Sequence, residues 1–333
     1  MKPAYLAIET GGTKLVAAIA DADGSLLETR VLPRPQTNRA PDSLRQVIEA
    51  ANVLRANYAP RGYTVKGIGF GYGGQVHRSS QRALRCPHEE GWEDVDVRAE
   101  LQNALNLPSV IENDCKLAAL AEAGLGAGCG FRTVFYVTIG TGIGGGIVRD
   151  GRVVDFGERG EAEIGHIVVM PQEGFACGCG NKGCLETIAS GPGLVTFART
   201  LATDHPGDWK GNPTSQRVIH DKEFTAKDLF EAYAQNDLFA SVMLRVAATF
   251  TAQALASTIQ IVNPDVIVFG GGVGMASTRY VGLIRDMSAP FVMPSLRGRC
   301  VFVQSQLGEN VVAQGAALLA RQTFTAADAA RDA

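Results

Sequence analysis

The sequence predicts an α/β fold built from two related halves. Three observations predict it. Strand-sized apolar runs alternate with helix-sized segments, three glycine clusters each follow a predicted strand, and the opening strand-turn-strand unit recurs loosely at 133–148. In open α/β sheets, ligands sit beyond the carboxyl ends of strands, so these three strand ends are expected to face one cleft.

Residues 4–8 and 15–20 are apolar and flank Gly11-Gly12, which reads as strand, tight turn, strand. A third strand fits 26–32, and a helix is expected at about 42–58. Residues 65–70 read as a buried strand ending in Gly71-Tyr72-Gly73-Gly74. A strand end at 109–112 leads into an alanine- and leucine-rich helix at 114–123. A second unit begins near residue 118, with a strand at 133–139, a glycine cluster at 140–146 and a strand to 148. Cysteine and glycine dominate 174–184. Helices are expected at about 192–203, 225–235 and 238–262. A buried strand at 266–269 runs into Gly270-Gly271-Gly272, and the chain closes with a strand at about 300–304 and a helix at about 309–321. The small, polar tail from Thr323 is expected to fray.

The 333 residues suit two domains or one large one, and 46% hydrophobic against 20% charged excludes global disorder. The net charge of -3 argues against a nucleic-acid binder, which carries a basic face. Neither a leader peptide nor a continuous apolar run of about 18 residues is visible, so a cytoplasmic chain without a membrane span is expected. Seven cysteines, three of them packed into eight residues, do not form a disulfide framework; a metal site with scattered core thiols fits better.

Glu9-Thr10-Gly11-Gly12-Thr13-Lys14 joins a close-approach glycine turn to a hydroxyl, an ammonium and a carboxylate able to hold a metal ion. It is also what an ordinary hairpin turn looks like, and it is not a Walker loop. Thr138-Ile139-Gly140-Thr141-Gly142 offers two hydroxyls and unhindered amides, an anion cradle or again a glycine hairpin. Gly271 and Gly272 would let a flat ring lie against the backbone. Asp114, at the start of a helix, has two readings: an N-cap, or a base that takes the proton of a substrate hydroxyl. More specific is the run Cys177-Gly178-Cys179-Gly180-Asn181-Lys182-Gly183-Cys184, with His166 eleven residues upstream. Three thiolates and one imidazole make a closed tetrahedral set of the structural zinc type. Glu163 and Glu186 flank that loop and are candidates for gripping sugar hydroxyls, or are solvated surface charges.

Together these segments resemble the ROK family of sugar kinases and repressors over nearly the whole chain. Residues 9–14 look like its first phosphate motif, DxGGTK, and 138–146 like its second. Glu112-Asn113-Asp114, continued to Ala121-Glu122, looks like ENDxxxAxxAE. Residues 161–166 look like GExGH, and 177–186 like CxCGxxGCxE. The combined match outweighs the bland readings of each segment alone.

The resemblance implies the two-domain actin, hexokinase and ribonuclease H type of fold with a cleft between domains. Residues 1–117 with about 308–333 would form the small domain and 118–307 the large one. It implies ATP-dependent phosphorylation of a hexose, at the 6-hydroxyl of glucose or a similar sugar, with Asp114 as general base. Gly74, Asn113, Glu163, His166 and Glu186 would contact the sugar. Glu9, Gly11, Gly12, Thr13, Lys14, Thr138, Gly140, Thr141, Gly142, Gly271 and Gly272 would hold ATP and Mg²⁺. His166, Cys177, Cys179 and Cys184 would hold zinc. The partners implied are the sugar, ATP and a second copy in a homodimer, with no nucleic acid and no membrane. With the first phosphate motif at residue 9, no helix-turn-helix domain of the repressor branch is expected before it. Three departures from the family pattern matter, the first for how the side chain reaches the metal and the last two near the expected sugar pocket. Glu9 stands where most members have Asp, though some fructokinase-like members have Glu. The segment 71–76 lacks the proline of GxPGxV, and the NLxGW loop is replaced by Cys86-Pro87-His88-Glu89-Glu90-Gly91-Trp92. Fructokinase and N-acetylhexosamine or N-acetylmannosamine kinase activities are the alternatives, followed by a non-catalytic, sugar-sensing member of the family.

Overall fold

The computed structural model describes residues 1–331 apart from Thr13, Arg85, Pro87, His88, Asp94, Arg159 and Glu173, with side chains described as far as Thr325. The chain divides into two compact units. The first comprises Met1–Gly130, Gly146–Glu161 and Gln306–Ala333; the second comprises Phe131–Gly145 and Ala162–Ser305.

The first unit opens with β1 (Lys2–Thr10), β2 (Leu15–Asp21), β3 (Leu26–Leu32), α1 (Ala40–Tyr58) and β4 (Tyr63–Tyr72). A short hairpin, β5 (Val76–His77) and β6 (Arg82–Ala83), precedes α2 (Val97–Leu105), β7 (Ser109–Asn113) and α3 (Asp114–Leu125). The sheet order is β3-β2-β1-β4-β7. The first three strands pair antiparallel; β1 with β4, and β4 with β7, pair parallel. Alternate residues of β1 serve opposite layers, as the two-residue period of a strand requires. Ala4, Leu6 and Ile8 share a core with Leu44, Val47 and Leu54 of α1, whereas Ala7 joins Leu117 of α3 and Ala313 and Ala316 near the C-terminus.

The chain continues through β8 (Thr133–Ile139), β9 (Ile143–Arg149) and β10 (Arg152–Val153), then α4 (Glu186–Ala189), α5 (Gly191–Asp204), α6 (Pro213–His220), α7 (Ala226–Ala234) and α8 (Leu238–Val262). It closes with β11 (Val266–Gly270), α9 (Gly271–Met275), α10 (Thr278–Ser288), β12 (Val301–Gln304) and α11 (Val311–Arg331). The second sheet runs β10-β9-β8-β11-β12, and its outer part, from residue 146, groups with the first unit. Taken in chain order, both sheets run third, second, first, fourth, fifth. This is the repeated half that the recurrence at 133–148 suggested.

Several expectations need adjustment. The sequence put a unit boundary at 117/118, but α3 stays whole in the first unit. Its Leu117 is core, and its fully buried Glu122 accepts the backbone N–H groups of Ala127 at 2.7 Å and of Gln306 and Leu307 at 3.1 Å. The chain therefore leaves this unit after Gly130 rather than at 117, returns for Gly146–Glu161 and comes back for good at Gln306. The tail expected to fray from Thr323 is instead helical through Arg331, because Phe324 packs on Gly67 and Thr325 Oγ1 lies 2.8 Å from the Tyr5 hydroxyl. No membrane-length apolar run was expected, yet α8 is long and apolar enough, by length and composition, to cross a membrane. Its polar residues are uncharged apart from Arg245. More than half of that stretch is buried, with Phe239, Met243, Leu244, Leu255 and Ile259 in the core, as in the central helix of a globular unit.

Candidate active site and zinc-type cluster

In the first unit, parallel pairing lines up the carboxyl ends of three strands. Glu9 pairs with Gly71 and Gly71 with Glu112; Thr10 pairs with Tyr72 and Tyr72 with Asn113. Residues a hundred positions apart thus arrive at one sheet edge, where α/β proteins bind ligands.

Asp114 is the first residue of α3, and the cap is Asn113: its Oδ1 accepts the N–H of Cys115 at 2.9 Å and of Lys116 at 3.3 Å. The N-cap reading of Asp114 therefore falls to its neighbour. The Asp114 carboxylate is fixed through Oδ1, which accepts from Cys115 N at 2.8 Å and from Asn113 Nδ2 at 3.0 Å. Asn113 Nδ2 also donates to the Gly74 carbonyl at 3.1 Å. With its amide committed to the helix, to Asp114 and to Gly74, Asn113 is placed to orient these groups. The other oxygen, Asp114 Oδ2, faces Gly73: a Cβ built on that glycine would lie 3.7 Å from Oδ2 and 3.7 Å from Gly11 Cα. Gly73 N–H donates to the Thr10 carbonyl at 3.1 Å. Asp114, Gly73 and the Gly11 turn are thus immediate neighbours.

Glu9 is buried beside this group, and its Oε2 has no hydrogen-bond partner among the described residues. Burial pushes its carboxyl up to about 7; Lys14 opposes the rise and Asp114 adds to it. A desolvated carboxylate with an orphaned oxygen, next to a second carboxylate, suits a divalent cation. Lys14 reaches the Glu309 carbonyl at 3.1 Å and the Glu309 carboxylate at 3.6 Å. Gly12 is exposed; Thr13 lies outside the described residues, as do Pro87 and His88.

In the second unit, Thr138 at the end of β8 pairs with Gly270 at the end of β11, so the two remaining glycine clusters sit side by side. Gly271 has φ +75°, and a Cβ there would come within 2.5 Å of the Ile139 carbonyl and 2.7 Å of Thr138 Oγ1, so only glycine fits. Gly140 N–H donates to the Gly142 carbonyl at 2.9 Å, and the Gly140 carbonyl accepts from Gly191 at the start of α5 at 2.7 Å. Thr141 is exposed on this turn. Glu186, read from sequence as a sugar ligand, accepts the Ile143 N–H on Oε2 at 2.8 Å and so braces the glycine turn.

Backbone pairing also assembles the cysteine loop. Val168 bridges Cys184, and Leu185 N–H donates to the Ile167 carbonyl at 2.9 Å, which brings the stretch after His166 alongside Cys184. Ala176 bridges Lys182, and Cys177 N–H donates to Asn181 at 2.8 Å, which folds the loop back on itself. Ligand atoms of His166, Cys177, Cys179 and Cys184 lie within 4.8 Å of one another. His166 Nδ1 to Cys177 Sγ is 3.6 Å, and Cys179 Sγ to Cys184 Sγ is 3.7 Å. Around a tetrahedral zinc with Zn–S of about 2.3 Å and Zn–N of about 2.0 Å, S···S is about 3.8 Å and S···N about 3.5 Å. The four residues fit the ion.

Glu163 enters the 3-10 turn Ile164–His166 and is exposed; its carbonyl accepts the His166 N–H at 3.0 Å. The residue before it, Ala162, has φ 64°, a left-handed conformation that costs a residue with a Cβ about 1–2 kcal/mol. Ala162→Gly should relieve this strain, offset by about 0.5–1 kcal/mol of added unfolded-state entropy. The expected net result is a melting temperature higher by about 1–2 °C, read by scanning calorimetry.

Sequence reasoning did not find a charge cluster behind Glu112. Arg78 meets Glu112 and Asp155 at 2.9 Å each, and Lys116 meets Glu161 at 2.9 Å. Nor did it find that Arg34 touches the Gly11 turn. These contacts join segments far apart in the chain, and no local pattern marks them.

Comparison with known proteins fits this geometry. A glucokinase of Halalkalibacterium halodurans is 30% identical over 321 residues, covering 96% of this chain and 95% of that one. An N-acetylmannosamine kinase of Escherichia coli is 31% identical over 315 residues, covering 93% and 98%. The structure of a ROK family glucokinase from Streptomyces griseus, in complex with glucose and AMPPNP, superposes with a TM-score of 0.74 at 30% identity and covers 96% of this chain and 99% of that chain. It shares the two-domain actin-like ATPase architecture. The ROK family pattern matches residues 5–323, and this chain belongs to the ROK family.

Proposed function

We propose that this chain is an ATP-dependent sugar kinase acting on the 6-hydroxyl of glucose or a similar hexose, with Asp114 as the general base. The observation that carries the reading is the placement of Asp114. One carboxylate oxygen is held by Cys115 N–H and the Asn113 amide, and the other faces Gly73 beside the Gly11 turn. In that position it accepts the proton of the sugar hydroxyl as the oxygen attacks the γ-phosphorus. The bond from that phosphorus to the β–γ bridging oxygen breaks, and ADP carries away the electron pair. The glycine clusters bind phosphate through backbone N–H groups. Glu9 would hold Mg²⁺, directly or through water, and the ion neutralises charge on the phosphates when bound. His166, Cys177, Cys179 and Cys184 would hold zinc as a structural anchor for the loop that carries Glu186.

The test is ADP release with Mg²⁺-ATP and a panel of glucose, fructose, mannose, N-acetylglucosamine and N-acetylmannosamine. Sugar-dependent release, highest with glucose, is expected. Release with none of them overturns the kinase reading. A preference for N-acetylmannosamine, the activity named for the Escherichia coli relative, would favour the N-acetylmannosamine kinase alternative.

A further inference from the structure

Arg34 follows β3 and sends Nη1 to the Gly11 carbonyl at 2.7 Å. Its Nη2 donates to Asn38 Oδ1 at 3.1 Å and pairs with Glu89 Oε2 at 3.0 Å. The Glu89 side chain is 1% exposed and that of Arg34 13%. Glu89 also accepts from Trp92 Nε1 at 2.8 Å and from the Ser43 hydroxyl of α1. Trp92 is itself fully buried, edge-on to Phe70 and Tyr72 of β4. A buried carboxylate is costly unless paired and hydrogen-bonded, and here three donors satisfy it. The guanidinium is therefore held by a rigid base, and its planar fork has a fixed direction.

That direction matters because of what Arg34 grips. The described chain has no cis peptide, and in a trans peptide the carbonyl and the next N–H point opposite ways. Fixing the Gly11 carbonyl toward Arg34 turns the Gly12 N–H away from it. Between two glycines no Cβ resists a flip of this peptide, so an outside restraint has something to do. The positive charge also polarises the peptide and strengthens Gly12 as a donor.

We propose that Arg34, anchored by Glu89, is a positioning residue for the nucleotide's phosphates: it locks the Gly11-Gly12 peptide so that the Gly12 amide is presented to a phosphate oxygen. This rests on the kinase reading above. Removing Arg34 alone would strand the Glu89 charge and threaten the fold. The informative variants are the Arg34→Met/Glu89→Gln double and Arg34→Lys, which keeps the charge but loses the fork.

Calorimetric titration with ADP and with adenosine separates phosphate binding from base binding. For both variants, Kd for ADP is expected to rise about tenfold, the worth of one well-placed hydrogen bond, while Kd for adenosine stays as in the wild type. The KM for ATP should rise in parallel, with KM for the sugar unchanged. If ADP weakens no more than adenosine, or not at all, in a variant that melts cooperatively, the assignment fails. Should the double variant not fold, Arg34→Lys decides by the same comparison. A wild type that binds neither ADP nor adenosine would instead overturn the kinase reading itself.

Discussion

Asp114→Asn is expected to fold normally and to lose about 10²- to 10⁴-fold in turnover, the range of general-base catalysis. The amide oxygen can still accept from Cys115 N–H and the Asn113 amide, so the local frame survives. The helix cap is unaffected because Asn113 supplies it. What is lost is a negative charge at the first turn of α3, worth about 0.3–1 kcal/mol to stability, and the carboxylate oxygen that takes the hydroxyl proton. Turnover and KM should therefore separate. KM for the sugar should change little, since an amide still hydrogen-bonds a hydroxyl, while kcat collapses. Rapid-quench measurement of phosphoryl transfer, with a thermal melt of the same sample, checks both halves. Near-wild-type kcat in a folded variant would take the role away from Asp114. A large fall in melting temperature would mean that the carboxylate serves the fold.

The legible part of this fold was whatever is written in local periodicity. The apolar runs of β1, β2, β8 and β11, and the alanine-rich α8, announce their own limits to within a residue or two. α10 was not foreseen, because its apolar residues Tyr280, Val281 and Ile284 are interspersed with charge and glycine and become a buried face only against α8. The site divides along the same line. The cysteine run is a local motif, and its pairing with residues 167–170 follows from chain proximity. Asp114 was visible as a residue, but the identity of the cap was not, since Asn113 and Asp114 are equally good capping types and only coordinates show which oxygen meets the Cys115 and Lys116 amides. The Arg34–Glu89 pair was beyond reach from sequence. It joins residues 55 positions apart, on segments that read as a polar connection and a loop departing from the family pattern.

Cys184→Ser is expected to remove the metal and to loosen the loop of which it is part. Cys184 is fully buried and bridges Val168, so its sulfur is the ligand that ties the 174–184 loop to the segment after His166. A serine hydroxyl is a hard, weakly acidic donor and does not replace a thiolate on zinc. The loop has little apolar mass of its own, with glycines at 174, 178, 180 and 183, so its order must come from backbone pairing and the ion. Structural zinc in small modules supplies about 10–16 kcal/mol of binding free energy, enough to hold such a loop. Elemental analysis should find about one zinc per chain in the wild type and a small fraction of that in the variant. Hydrogen exchange should accelerate at the amides of Cys177 and Gly183, which donate to Asn181 and Phe175, before any change in β1 or β4. Kinase activity should fall with the metal because Glu186, two residues beyond Cys184, braces the turn at 140–143. A chelator acting on the wild type should reproduce these changes, and added zinc, but not magnesium, should reverse them. A folded wild-type chain carrying less than about half an equivalent of zinc, or a variant with unchanged exchange in the loop, would show that the four ligand atoms are held together by the backbone alone.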